Sequence, residues 1–489
     1  MGFSVIKKTS KNYDYIVLLV EEDKIKDEDI KFFKNLTIEN KKFIEHLIKK
    51  EKFTGKKNEI LSAKYCDENI IYSIIFVGVG KKKFLSYDSL KNSIYSVIKN
   101  LKGNVLIEST DSSFIDIDML GILVENANYN FNKYKSIDKN NKKETKKENK
   151  KLNLEYLNTK FNSETIEGVE LGKITNIVRD LVNEPANFMT PEILAENALI
   201  LGKDYGFQVE IHDESEIEKL NMTAFLSVGR ASVNRPRLIV MKYTGNNSSK
   251  NAIGLVGKGL CYDAGGLSIK STGNMLTMKS DMTGAATVIG VMCALAKMNI
   301  NKNVVSVIAA CENVIGGNAY KPGDIIYTMA GKSVEITNTD AEGRLTLADA
   351  ITYTLKNNKI SEIIDIATLT GAVIVALGES ITGVFTNTYS NFEKLKNAGD
   401  KWGEKYWNMP MDDEFKDMIK SCIADIKNSA GSFGGPSTGA KFLEEFIENK
   451  PWMHLDIAGT SFRDVDGKYY KKGATGEVLK TLYTYIKGE

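Results

Sequence analysis

At 489 residues the chain is too long for one ordinary hydrophobic core, and two domains are the expected number. Hydrophobic residues at 42% and charged ones at 26% mark a soluble globular composition, while a formal net charge of +2 gives no global attraction for nucleic acid or acidic membranes. Five scattered cysteines with no CxxC pair argue against a disulfide framework, and three distant histidines in no HExxH-like arrangement leave any metal site to rest on other ligands.

The first residues, Met1 to Lys8, lack the apolar core of a signal peptide, and no apolar run is long enough to span a bilayer. Reduced thiols and a cytoplasmic setting are the expectation. Residues 15–20 and 71–77 read as strands, with amphipathic helical segments around 28–50 and 87–101. Residues 1–138 are therefore expected to form a small α/β domain. Gly78-Val79-Gly80 has the beginning of a dinucleotide fingerprint, but Lys81, Lys82 and Lys83 follow where the third glycine is needed, and the reading is discarded.

Residues 139–151 hold seven lysines and two glutamates with nothing apolar, which describes a solvated loop opening a connecting segment over 139–164. No aromatic is interleaved there, which counts against a nucleic-acid-binding tail. All seven prolines lie at or after Pro185 and only eight of 39 glycines precede residue 180, so the second region is built differently. Its apolar runs at 252–257, 304–310 and 363–367 read as buried strands separated by helices. The segment Met282 to Met298 is apolar almost all round, like a helix buried against a sheet. The predicted architecture over 165–489 is a three-layer α/β/α domain with a mixed, largely parallel sheet.

Two stretches of this region carry chemistry. In the first, Lys258 is expected at the end of a strand and Asp263 in the Gly-rich loop after it, with Asp281 at the start of the buried helix. An acid in that last position also suits a helix cap. In the second, Asp340, Glu342 and Arg344 occupy a loop between a strand-like run at 332–337 and a helix-like run at 345–351, where a βα loop would sit. An Asx-type turn with an incidental ion pair accounts for that loop alone. Taken together, Asp263, Asp281, Asp340 and Glu342 would gather four negative charges at the carboxyl edge of one sheet. Such a group is costly to bury without cations. Two divalent metals would offset the charge, and oxygen ligands suit zinc, manganese, magnesium or cobalt. Asp349, in the helix that follows, lies outside this pattern, and its replacement is expected to be mild. His454, in an alternating strand-like segment, reads as structural.

The run Asn338-Thr339-Asp340-Ala341-Glu342-Gly343-Arg344-Leu345 matches throughout the signature of the leucyl (cytosol) aminopeptidase family of dinuclear-metal exopeptidases. Val256-Gly257-Lys258-Gly259, Lys270 and the run at 281–286 recur in the family's order, and the resemblance covers roughly 165–489. One departure is visible: Ala264 follows Asp263 where the family usually has Ser. The resemblance implies one metal on Lys258, Asp263, Asp281 and Glu342, and another on Asp263, Asp340 (side chain and carbonyl) and Glu342. A lysine ligand must be neutral, which neighbouring dications would allow. The resemblance also implies a charged Lys270 that polarises the scissile carbonyl, and a bicarbonate-like anion on Arg344 as general base to a metal-bridging water. Substrate would be anchored by its free α-amino group, with Lys270, Met278, Gly371 and Ala458 contacting it and an apolar first residue such as Leu or Met preferred. A homohexamer is implied as well. The alternatives are a two-metal phosphoester hydrolase, which the single arginine and the lack of histidine ligands disfavour, and a DNA-binding regulator, which the near-neutral charge disfavours.

Overall fold

The computed structural model describes residues 3–7, 13–24, 37–67, 70–110, 116–136, 151–158, 166–467 and 469–488. The Lys-rich run lies outside the described residues except for Lys151. The chain divides into two compact units, one of Met1–Asn176 with Lys468–Tyr470 and one of Ile177–Gly467 with Lys471–Glu489.

The first unit is built on six strands, β1 (Phe3–Ile6), β2 (Tyr15–Glu21), β3 (Ile60–Asp67), β4 (Ile70–Gly80), β5 (Gly103–Ser109) and β6 (Leu152–Leu157), ordered β1-β6-β5-β2-β4-β3. All neighbours run parallel except β3 against β4. Side chains alternate across a strand, so β2 feeds two cores. Ile16, Leu18 and Val20 pack with Ile44 of helix α1 (Ile38–Lys50). Val17 and Leu19 pack with Leu90 and Ile94 of α2 (Tyr87–Ile98) and Leu120 and Leu123 of α3 (Ile117–Asn128). A strand buried on both faces has to be apolar throughout, which is why 15–20 is legible in the sequence.

The second unit carries an eight-stranded sheet. Its strands are β7 (Gln208–His212), β8 (Arg237–Thr244), β9 (Ala252–Asp263), β10 (Asn303–Asn313), β13 (Ile360–Ala367), β14 (Ile381–Thr386), β15 (Lys405–Asn408) and β17 (Trp452–Asp456), ordered β15-β14-β17-β13-β9-β10-β8-β7. The central strands β17, β13, β9 and β10 are mutually parallel, and β14 joins β15 in parallel. β14 meets β17, β10 meets β8 and β8 meets β7 in antiparallel fashion, so the sheet is mixed. Helices cover both faces. Helix α4 (Thr283–Lys297) lies so close on one face that a Cβ on Gly257 would come within 2.7–2.9 Å of the Gly284 and Ala285 backbone. Helix α5 (Gly343–Asn357) lies on the other, where Gly254 meets Thr354. Residues Thr283–Ala296 are buried all round, because the last helix, α8 (Leu479–Lys487), closes over α4 from outside. The remaining helices used below are α6 (Gly371–Leu377) and α7 (Gly435–Glu444). No helix among the described residues is long and apolar enough to cross a membrane. Cys261, Cys293, Cys311 and Cys422 are free thiols.

Two expectations are corrected. β9 runs on through Asp263, so Lys258 sits mid-strand and Asp263 is the final strand residue. The run before Asn338 belongs to a separate three-stranded sheet, β11 (Ile325–Tyr327), β12 (Ser333–Glu335) and β16 (Ile426–Lys427), ordered β11-β12-β16. The acidic loop therefore follows a strand of a second sheet rather than one of the sheet that carries Asp263. β12 alternates polar Ser333 and Glu335 around buried Val334, a pattern that a strand covered on both faces could not carry.

Candidate active site

Four segments distant in sequence meet at the carboxyl end of β9. The even residues of β9 face α5, so the Lys258 side chain points at the first turn of that helix. A Cβ at residue 343 would lie 2.4 Å from Lys258 Cε, which is why glycine stands between Glu342 and Arg344. Lys258 Nζ donates to Asp281 Oδ1 at 2.9 Å, Glu342 Oε1 at 2.9 Å and the Thr368 carbonyl at 3.0 Å, so all three of its hydrogens are used. Lys270 Nζ pairs with Asp263 Oδ2 at 2.8 Å and also with Asp340 Oδ1. Gly265, at φ 85°, lets the loop turn back: a Cβ there would stand 2.9 Å from Asp340 Oδ1 and 2.5 Å from the Ser268 carbonyl.

Asp281 does not act as a helix cap. It lies in a 3₁₀ turn, Met278–Met282, ahead of α4, and its Oδ1 accepts from Lys258 and from Thr368 Oγ1 at 2.7 Å. Asp263, Asp340 and Glu342 each offer one carboxylate oxygen such that all three lie within 4.8 Å of one another. Asp281 stands beside this trio, across Lys258 from Glu342. The Asx turn is present too, with Asp340 N donating to Asn338 Oδ1 at 2.8 Å. It shapes the acidic loop rather than replacing its chemistry.

The site is short of positive charge, with four carboxylates facing two ammonium groups. Burial, reinforced by the Asp263 carboxylate, pushes the Glu342 carboxyl up; burial does the same for Asp281 and Asp340. Burial by itself would lower both lysines, but the surrounding carboxylates outweigh it and raise them, so both are ammonium ions in this arrangement. Asp281 Oδ2 and Glu342 Oε2 are buried with no hydrogen-bond partner. Carboxylates left unsatisfied and under-neutralised in this way fit hard or borderline divalent cations, whose preferred ligands are oxygens. Arg344 is also buried. Its Nη1 donates to the Asn428 carbonyl at 2.7 Å and its Nε has no partner, while burial lowers its pKa to about 10. A buried guanidinium with a spare donor fits an anion.

The acids and lysines line a cleft of about 430 Å³ together with Met278, Gly371, Ala458, Thr370 and Ile374. The expected substrate contacts are thus brought to the same cavity as the expected ligands. Arg344 stands behind the cleft wall, beside Gly439 of α7 and Leu369. Ala264 contributes only its backbone here, donating to the Asn313 carbonyl at 2.8 Å and accepting from Lys270 N at 3.0 Å. His454 lies in the sheet core, Nδ1 2.5 Å from Asp365 Oδ1, and that carboxylate also accepts from Trp452 Nε1 at 2.7 Å. This is a structural network outside the cleft lining.

The chain's relatives identify its family. Residues 176–483 match the family described as cytosol aminopeptidase family, catalytic domain, and residues 16–138 match its N-terminal domain. A probable cytosol aminopeptidase of Fusobacterium nucleatum is 49% identical, with 100% of this chain and 99% of the relative covered. The chain belongs to the cytosol aminopeptidase family. A probable cytosol aminopeptidase of Clostridium perfringens is 45% identical over 92% of each chain. A mutant of tomato leucine aminopeptidase superposes with a TM-score of 0.85 at 30% identity, covering 100% of this chain and 97% of the other. The protein is accordingly a peptide hydrolase.

Several residues that hold this cleft together carried no signal in the sequence. Asn428, fully buried, accepts from Thr337 N at 2.8 Å and donates to the Asn338 carbonyl at 2.7 Å, clamping the acidic loop. Asn313 and Tyr320 brace the same loop through the Thr339 carbonyl, at 3.0 and 2.8 Å. A polar pair, Glu312-Asn313, closing an apolar strand run is the one hint the sequence offers for Asn313. Asn428 lies some 90 residues from the loop it clamps and offers none.

Proposed function

We propose that this chain is a divalent-cation-dependent aminopeptidase that removes apolar N-terminal residues, Leu and Met foremost, from peptides. The observation that carries the reading is the carboxylate excess of the cleft, with Asp281 Oδ2 and Glu342 Oε2 buried and unpartnered beside it. Lys258, Asp263, Asp281, Asp340 and Glu342 would hold two cations, with zinc or manganese as first candidates and magnesium or cobalt also suited. Bound there, such ions supply Lewis acidity and a water acidified enough to attack a peptide carbonyl near neutral pH. Lys258 joins the ligands only as a neutral amine, after releasing the proton that Asp281 and Glu342 now help it to hold.

The chain's own groups do the rest. Lys270 keeps its charge and stabilises the negative charge that develops on the carbonyl oxygen. Arg344, whose Nε is buried without a partner, would hold a bicarbonate-like anion that could serve as general base toward that water. Met278, Gly371 and Ala458 receive the first side chain and give a carboxylate there no partner. The carboxylate-lined inner wall is complementary to a free amine, whereas an acylated one has neither the charge for the carboxylates nor a lone pair for a cation. The family reading extends to a cytoplasmic homohexamer that needs no nucleic acid. Leu276, Val375 and Phe433, exposed at 79, 90 and 81%, are side chains that such an assembly could cover. Light scattering of the purified protein tests the assembly.

The deciding assay compares Leu-p-nitroanilide with its N-acetyl derivative, with and without chelator. The free-amine compound is cleaved, the acetylated one is not, and chelation abolishes the rate until Mn²⁺ or Zn²⁺ is returned. Equal cleavage of both compounds, or a rate indifferent to chelation, defeats the proposal.

A further inference from the structure

We infer that Asn313 is a positioning residue that fixes the Asp263 carboxylate so that its Oδ2 alone is presented to bound cations, an inference that rests on the cation-dependent reading above. Asn313 closes β10 opposite Asp263, which closes β9, and is fully buried. Its backbone carbonyl accepts from Ala264 N at 2.8 Å, which fixes the main chain just beyond Asp263. Its side-chain Nδ2 donates to Asp263 Oδ1 at 2.8 Å and to the Thr339 carbonyl at 3.0 Å. Both partners are pure acceptors, so the amide can point only one way; a flip would set Oδ1 against two oxygens.

Asp263 Oδ1 also accepts from Gly265 N at 2.8 Å. Two donors thus occupy Oδ1, and Oδ2 is the oxygen turned to Lys270. Because Thr339 immediately precedes Asp340, the same amide sets the spacing between the strand that carries Asp263 and the loop that carries Asp340 and Glu342. Cation affinity depends steeply on such outer partners, whose removal costs about 10- to 100-fold. Tyr320 separates the two duties of this amide. Its hydroxyl donates to the same Thr339 carbonyl at 2.8 Å, bracing the loop, and makes no hydrogen bond to any of the four carboxylates.

The test is Mn²⁺ binding by equilibrium dialysis on the full chain, with melting of the chelated protein measured in parallel, for Asn313→Ala, Asn313→Asp and Tyr320→Phe. Asn313→Asp keeps the shape, and as a carboxylate it donates to neither acceptor, while in its protonated form it can satisfy only one of the two. Both Asn313 variants are expected to bind Mn²⁺ about 10- to 100-fold more weakly. Tyr320→Phe should stay within about threefold of wild type while melting earlier, since it loses one hydrogen bond. A merely structural role would lower melting in all three and leave their affinities alike. Asn313→Asp binding as tightly as wild type, or more tightly as added negative charge alone would give, overturns the inference. Failure of the wild-type chain to bind Mn²⁺ would instead overturn the reading on which it rests.

Discussion

Asp349 provides a quantitative test that is independent of cations. It lies in the middle of α5, fully buried, where the sequence reading expected a tolerant position. Its Oδ2 accepts from Phe225 N at 2.9 Å and its Oδ1 from Met329 N at 2.8 Å, tying α5 to two neighbouring segments. Burial raises its pKa to about 7, against the pull of those N–H donors. Asp349→Ala leaves two buried N–H groups unsatisfied, at roughly 1–3 kcal/mol each, or about 3 kcal/mol together near pH 5. The pH dependence has a definite sign. A carboxyl whose folded pKa lies above its unfolded value near 3.8 stabilises the fold fully below about pH 4, and that contribution is lost as pH rises through 7. At about 1.4 kcal/mol per unit the loss approaches 4 kcal/mol by pH 8, and the alanine variant does not suffer it. The penalty of the substitution should therefore shrink steadily between pH 5 and pH 8. Urea unfolding of chelated wild type and variant, followed by tryptophan fluorescence at pH 5, 6.5 and 8, reads it directly. With a slope of roughly 3 kcal/mol/M, the midpoints should differ by about 1 M at pH 5 and converge by pH 8. A gap that stays constant or widens with pH would refute the buried-carboxyl argument, and no gap at pH 5 would refute the hydrogen-bond argument.

Two further outcomes concern the cleft. Glu342→Ala should lose bound cation and at least about 100-fold in kcat/KM, because the remaining acids lose an oxygen that lies within reach of Asp263 and Asp340; metal analysis showing two retained equivalents at full rate would exclude Glu342 as a ligand. Lys270→Ala and Arg344→Ala should each lower kcat by about 10- to 1,000-fold through lost charge stabilisation. Cation content should be unchanged, or higher in Lys270→Ala, since that ammonium now competes for Asp263 and Asp340. Loss of both cations in Lys270→Ala would recast the residue as a ligand.

The sequence by itself determined the parts of this protein whose physics is local. Strands buried on both faces carry nearly continuous apolar runs, which made β2, β4, β9, β10 and β13 legible. Helix α4 announced its surroundings by being apolar and small on every side. The run Asn338–Leu345 carried the family resemblance because it matches the family's signature throughout, whereas the packing of its glycine under Lys258 and the burial of its arginine came only from the fold. Tertiary structure alone decided how the acids are held. Lys258 is mid-strand because a lysine in a doubly covered strand is tolerated only where partners from Asp281 and Glu342 reach it, and neither is near it in sequence. The acidic loop belongs to a small separate sheet because β12 has one buried side chain rather than two apolar faces. Asp349 proved to be a buried tie because its donors, Phe225 and Met329, come from segments that no periodicity in α5 can reveal. Hydrophobic period reports which face of an element is covered. The identity of the hydrogen-bond partner across a buried contact depends on the fold that brings distant segments together, as Asn313 and Asn428 both show.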